Sequence, residues 1–200
     1  VSMARQRLVP WRVVGLLCAG SIPAALAALW LLHRMGPATT QAQHLMTSTL
    51  GIALLLTAIT VAFRPVWHRV GVWLERWITR ERRPALTVLC GAILGVLVSL
   101  SSIGAGALGA TMILLLYPRL DMKRLVGTDI AHAVPLTIVA GIGHASLGNV
   151  EWLLLIELLA GSIPGIWVGA KLTKQLPETI TRFALCICLV IAARKILLTA

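Results

Sequence analysis

PALTVLCGAILGVLVSLSSIGAGALGATMILLLYP, residues 84–118, holds no charged side chain in 35 positions. As one α-helix it would run about 52 Å at about 1.5 Å per residue, against a hydrocarbon layer of about 30 Å. The stretch is too long for one crossing and too short for two with a turn between them. Two short helices meeting at Ser101-Ser102-Ile103-Gly104-Ala105-Gly106 fit the length. Irregular backbone at membrane depth survives only where protein buries it or where it lines a polar cavity, so the break is a first place to look for a site.

The rest of the chain reads the same way. Hydrophobic residues make up 58%, charged residues 12%, and the mean hydropathy is +0.89, too few polar side chains to coat a water-soluble globule of 200 residues. Apolar windows at 13–32 and 45–63 each hold one crossing. Residues 125–150 are apolar apart from Asp129, His132 and His144, residues 152–170 apart from Glu157, and a last segment covers 180–198. The expected fold is all-α: a polytopic membrane protein with about seven embedded segments.

A formal charge of +11 raises nucleic acid as a partner, but the cations lie between apolar segments and form no stripe. Placing 64–83 in the cytoplasm puts 15 of the 18 Lys and Arg residues on that side, leaving Arg34, Arg194 and Lys195 toward the other. Within 64–84, RPVWHRVGVWLERWITRERRP, Trp67, Val70, Leu74 and Trp77 recur at steps of three or four. This is the pattern of an interfacial helix, acting as a plain connector or as a lipid sensor. Cys186 and Cys188 sit two apart, so on a helix they point about 200° from each other and cannot grip one metal together. No metal or other cofactor is expected, and no GxSxG or HExxH motif suggests an enzyme.

An internal repeat carries the functional argument. WRVVGLLCAGSIPAALAALWLLHRM, from Trp11, aligns without gaps with WLLLIELLAGSIPGIWVGAKLTKQL, from Trp152, at an offset of 141. By the charge pattern the first copy runs outward and the second inward, the sign of an inverted-repeat transporter with its site at broken helices between the halves. The expected units are 1–63, the end of a first repeat; 64–84, a connector; and 85–200, a second repeat. From Pro84 on, 77 residues precede Gly161, whereas 19 precede Gly20, so the opening segments of the first repeat are expected to lie outside this chain.

Each candidate residue carries two readings. Ser101, Ser102, Gly104 and Gly106 either form a tight turn or let the N–H groups of the next helix hold an anion. Thr128 and Asp129 either cap a helix or, with His132 one turn on, face a polar path. Gly161, Ser162 and Pro164 either kink a helix at a contact or line the substrate site. His144 and Glu157 either join a proton or ion route with Asp129 and His132 or pair with each other in water.

The passages GAILGVLVSLSSIGAGALGATMILLLYP, VGTDIAHAVPLTIVAGIGHASLGNVEW and LLAGSIPGIWVGAKL resemble the TauE/SafE family of sulfite and organosulfonate exporters over 91–195. The resemblance implies a multi-pass protein of the bacterial inner membrane. Its partners would be the lipid bilayer, a small anion such as sulfite or sulfoacetate, and a coupling proton or ion. Conduction as a channel, or a non-transporting membrane subunit, are the alternatives.

Overall fold

The computed structural model describes residues 9–35, 40–79, 81–101, 106–148, 150–173 and 178–199. Among them it is all-α: α1 Trp11–Met35, α2 Thr40–Ala62, α3 Arg64–Glu75, α4 Arg82–Ser101, α5 Ala107–Leu116, α6 Met122–Ser146, α7 Trp152–Thr173 and α8 Glu178–Thr199. Five of these are long and apolar enough to cross a membrane: α1, α2 from His44, α4, α6 and α7. One expectation needs correcting. The uncharged run does not make two short helices, because α4 draws Arg82 and Arg83 into its first turn and reaches full crossing length. Only α5, with ten residues, is short.

The core is a bundle of α1, α4 and α6 that run in the same direction. Leu17 meets Gly91, Ser21 meets Gly95 and Ala25 meets Val98, in rising order along both α1 and α4. Ser21 likewise meets His132, and Leu29 meets Gly143, along α6. Glycine permits this spacing. A Cβ on Gly91 would lie 3.0 Å from Leu17 C and 3.1 Å from its Cα, and one on Gly95 would lie 2.8 Å from Ser21 Cα. Lipid tails are as apolar as leucine, so such close backbone packing, not transfer from water, holds membrane helices together.

Helix α6 shows the two-sided pattern. Leu125, Thr128, Asp129, His132, Leu136 and Ala140 are buried, whereas Ile130, Val134, Ile138 and Ile142, four apart, are at least half exposed and form a lipid-facing stripe. Helix α2 packs against α8, α4 and α5. From Trp152 to Val168 every side chain of α7 is exposed, including the second Gly-Ser-Ile-Pro copy.

The connector α3 packs on α5. A Cβ on Gly71 would sit 2.8 Å from Leu114 O, so this glycine lets the two backbones meet. Trp67 packs on a buried cluster of Val13, Leu17, Ile113, Leu114 and Leu125, while Trp73 and Trp77 stay exposed. Glu75 closes the arrangement: Arg83 Nη2 donates to its Oε1 at 2.9 Å and Arg119 Nε to its Oε2 at 2.9 Å. One carboxylate thus holds the start of α4 and the residue beyond α5 at the same end of the molecule. The hydrogen bond from Arg83, with Arg119 beside it, keeps the Glu75 carboxyl below the usual carboxylate range. Deeper in the hairpin, Tyr117 Oη and Thr87 Oγ1 are 3.0 Å apart and share a hydrogen bond. At the opposite end the Arg34 guanidinium lies 4.3 Å over the Trp30 ring, a cation–π contact that seats a cation where the charge pattern has few.

Candidate functional site

Two polar positions on α6 are buried at one level of the bundle, and different neighbours claim them. His132, fully buried, shares a hydrogen bond between Nε2 and Ser21 Oγ at 2.9 Å, and its Nδ1 has no partner. Ser21 belongs to the first Gly-Ser-Ile-Pro copy. That copy is in contact with the polar centre because Gly20 and Gly95 bring α1 and α4 close enough to bury its hydroxyl.

Asp129, 6% exposed, faces the other way, toward α5. Its Oδ1 has no hydrogen-bond partner and abuts the position a Gly109 Cβ would take. It borders a cavity of about 280 Å³ lined by Thr60 and Val61 of α2, Gly106, Ala110 and Thr111 at α5, and Val126 of α6. The hydroxyls here are already donating: Thr60 Oγ1 to Thr57 O at 2.9 Å and Thr111 Oγ1 to Ala107 O at 2.8 Å. What remains on them is acceptor capacity. On the facing wall Gly106, the N-cap of α5, and Ala107, its first residue, line the cavity, and Ala110 N donates to Gly106 O at 2.9 Å. The start of α5 carries the positive end of the helix dipole. The cavity therefore has a helix N-terminus on one wall and a carboxyl group on the other.

A second cavity, of about 420 Å³, lies further along α6 and is lined by Met46, Val98, Thr137, Ala140, Gly141 and His144. His144 Nε2 is 2.7 Å from Ser99 O, and the buried Ser99 Oγ has no partner.

Placed against the sequence reading, Gly106 and Asp129 come together in the first cavity. Ser101 is buried at the end of α4 and donates to Leu97 O. Ser102 and Gly104 lie outside the described residues. Thr128 donates to Arg124 O at 2.6 Å and so turns to its own helix. Gly161, Ser162 and Pro164 are exposed on α7, with Ser162 Oγ 3.4 Å from Leu159 O, and are not brought to the cavity. Glu157 is also exposed on α7, while His144 is engaged with Ser99, so the two do not meet. Among the described residues no group of three His, Cys, Asp or Glu side chains could hold a metal ion. Thr60 carries no signal in the sequence, whereas Thr111 closes the run of hydroxyls and glycines that includes Ser101 and Gly106, and Ser21 lies in the first Gly-Ser-Ile-Pro copy. The repeat held the signal for Ser21, since it matches Ser162 at the offset of 141.

The profile of the family described as "Sulfite exporter TauE/SafE" matches residues 1–195, reaching across α1 and α2 as well as the later helices. The "Probable membrane transporter protein YjnA" of Bacillus subtilis is 34% identical over 195 residues, 96% of this chain and 76% of its own length. The "Probable membrane transporter protein YdhB" of the same organism is 32% identical over 98 residues, covering 49% of this chain and 40% of its own. No solved structure matches.

Proposed function

The chain belongs to the TauE/SafE sulfite exporter family, a family of multi-pass membrane transporters and not of enzymes, and from that premise we propose that it is a secondary transporter of sulfite, an organosulfonate or a related small sulfur-containing anion. The observation that carries the proposal is the cavity at the start of α5. The N-terminus of α5, at Gly106 and Ala107, lies there beside a buried Asp129 whose Oδ1 is unpartnered. The positive end of the helix dipole favours an oxyanion there without a cationic side chain.

Around that contact we assign Gly106 and the break at Ser101, Ser102 and Gly104 to the substrate, and Ser21, Thr128 and His132 to the polar wall behind Asp129. Leu136 follows Asp129 along α6 and precedes the residues of the second cavity; with Ala25 and Val98 it forms a buried apolar cluster. This cluster is the barrier between the two cavities. Two arguments support the inverted repeat: α1 and α6 run in the same direction, and a short connection through Gly148, at φ 72°, leads from α6 into the second motif copy. The basic starts of α1, α4 and α6 then face the cytoplasm of a bacterial inner membrane.

The test is uptake of labelled sulfite, and separately of a small sulfonate, into proteoliposomes carrying the full chain. Saturable uptake above protein-free vesicles is expected, and competition between the two anions identifies a shared site. Equal rates with and without protein for both solutes would end the proposal, and non-saturating ionic current would replace it with a channel.

A further inference from the structure

We propose that Asp129 is the proton carrier of this protein, so that an anion occupies the cavity only while a proton sits on that carboxyl group, and the two cross together. This rests on the anion-transport reading and adds its coupling ion. The geometry poses the problem directly. A cavity of about 280 Å³ keeps any solute inside it close to Asp129. With an effective dielectric of about 20, two like unit charges about 5 Å apart repel enough to weaken binding roughly 200-fold. The described lining residues include no Lys, Arg or His, so no cationic side chain among them offsets that repulsion, and the dipole at the start of α5 is worth about half a charge. Thr60 and Thr111 have their hydroxyl hydrogens committed to carbonyls and present only lone pairs.

Other titratable groups around Asp129 are occupied or distant. On α6, His132 is turned to Ser21, and Lys123 and Arg124 are exposed before the buried segment begins. Helix α5 carries no titratable residue. Among the described side chains α1 carries Arg12, His33 and Arg34 in its end turns and Cys18 between them, α4 carries Arg82 and Arg83 in its first turn and then Cys90, and α2 has none between His44 and its end. Neutralising Asp129 therefore requires a cation from solution. A proton needs one oxygen. A sodium ion would need several oxygen ligands in one place, and the described lining supplies the Asp129 carboxyl and two threonine oxygens.

The step balances simply. A proton from water on one side binds a carboxylate oxygen of Asp129, the neutral acid faces the bound anion, and on the other side both leave, restoring the carboxylate. No electrons move. Gly109 fits this use, since any side chain there would collide with the oxygen that must take and release the proton.

Two measurements test it, and they separate the proton site from the solute. In proteoliposomes loaded with a pH-sensitive dye, an inward gradient of methanesulfonate, which stays ionised from about pH 5 to 9, should acidify the lumen. An imposed inward proton gradient should speed uptake about tenfold. Asp129→Asn should abolish both responses and Asp129→Glu should keep them. Independently of any solute, a hydrophobic carbodiimide should modify Asp129 in the intact protein several-fold faster at pH 6 than at pH 9, read by mass spectrometry. Lumen acidification by Asp129→Asn, a wild-type protein driven by sodium without a pH response, or labelling that is absent or pH-independent would each overturn the proposal. Labelling that follows pH in a protein that moves neither sulfite nor sulfonate would leave the proton site standing and remove the solute assignment.

Discussion

Alanine at Gly20 and alanine at Gly161 should have opposite effects, although the two glycines hold matching positions in the two copies of one motif. At Gly20 a Cβ would collide with the Val88 carbonyl oxygen and lie 2.8 Å from Val88 C and 2.9 Å from Ala92 N. Ordinary contact begins at 3.4 Å, so α1 and α4 must part by at least about 0.6 Å, and neither backbone can rotate out of the way. Overpacking of this kind costs about 1–3 kcal/mol, while alanine in place of glycine in a helix returns about 0.5–1 kcal/mol. The net loss of up to about 2.5 kcal/mol lowers the melting temperature by up to about 5–10 °C in a chain of this size. The same separation stretches the 2.9 Å Ser21–His132 bond, so transport should fall with stability. At Gly161 a Cβ meets nothing within 4 Å, leaving only the propensity gain. Thermal unfolding of the two purified variants in detergent, followed by circular dichroism, compares them directly. Equal destabilisation would refute the reasoning, because it would mean that the second copy is as tightly packed as the first.

Two further outcomes follow from polar contacts. A double-mutant cycle on Ser21→Ala and His132→Leu, read by the same melts, should give a coupling of about 0.6 kcal/mol and no more than about 1.7, the range for hydrogen bonds between membrane helices. A value near zero would remove the pair from the polar centre. For Glu75 the carboxyl group is held below its ordinary range in the folded protein, so its contribution is fully present above the unfolded value and is lost as pH falls through the depressed one. Melting temperature measured from neutral to acid pH should therefore drop in that window for the wild type and less steeply for Glu75→Gln. Parallel curves would show that the bridge to Arg83 and Arg119 does not couple to folding.

Much of this architecture is legible in the sequence because bilayer physics leaves few choices. Thirty-five uncharged residues cannot form one crossing, and the run is shared between two helices, one ending at Ser101 and the next starting at Ala107. The lengths of the two pieces were less legible, since the arginines before Pro84 could lie either before α4 or within its first turn. Asp129 was visible as a costly carboxyl in an apolar segment, and Gly106 as part of the glycine-rich break. Ser21 was harder to see. Gly-Ser-Ile-Pro occurs twice, and which copy is buried depends on the glycines of another helix, Gly91 and Gly95, more than 60 residues away. The Glu75 fork is equally non-local, joining residues 8 and 44 positions apart in sequence from its own.

The common direction of α1, α4 and α6 also shapes what the protein presents to water. Three helix dipoles point their positive ends at one face, and the same face carries Arg12, Arg82, Lys123 and Arg124 exposed beside those ends. Glu81 just before α4 and Asp121 at the N-cap of α6 offset part of this charge, while the first turns themselves hold no acidic residue. Small anions are therefore drawn to that rim, within a layer of about 8 Å at physiological salt. For the anionic cargo proposed above, attraction at the mouth would precede selection by shape in a chamber with no cationic side chain along its described walls.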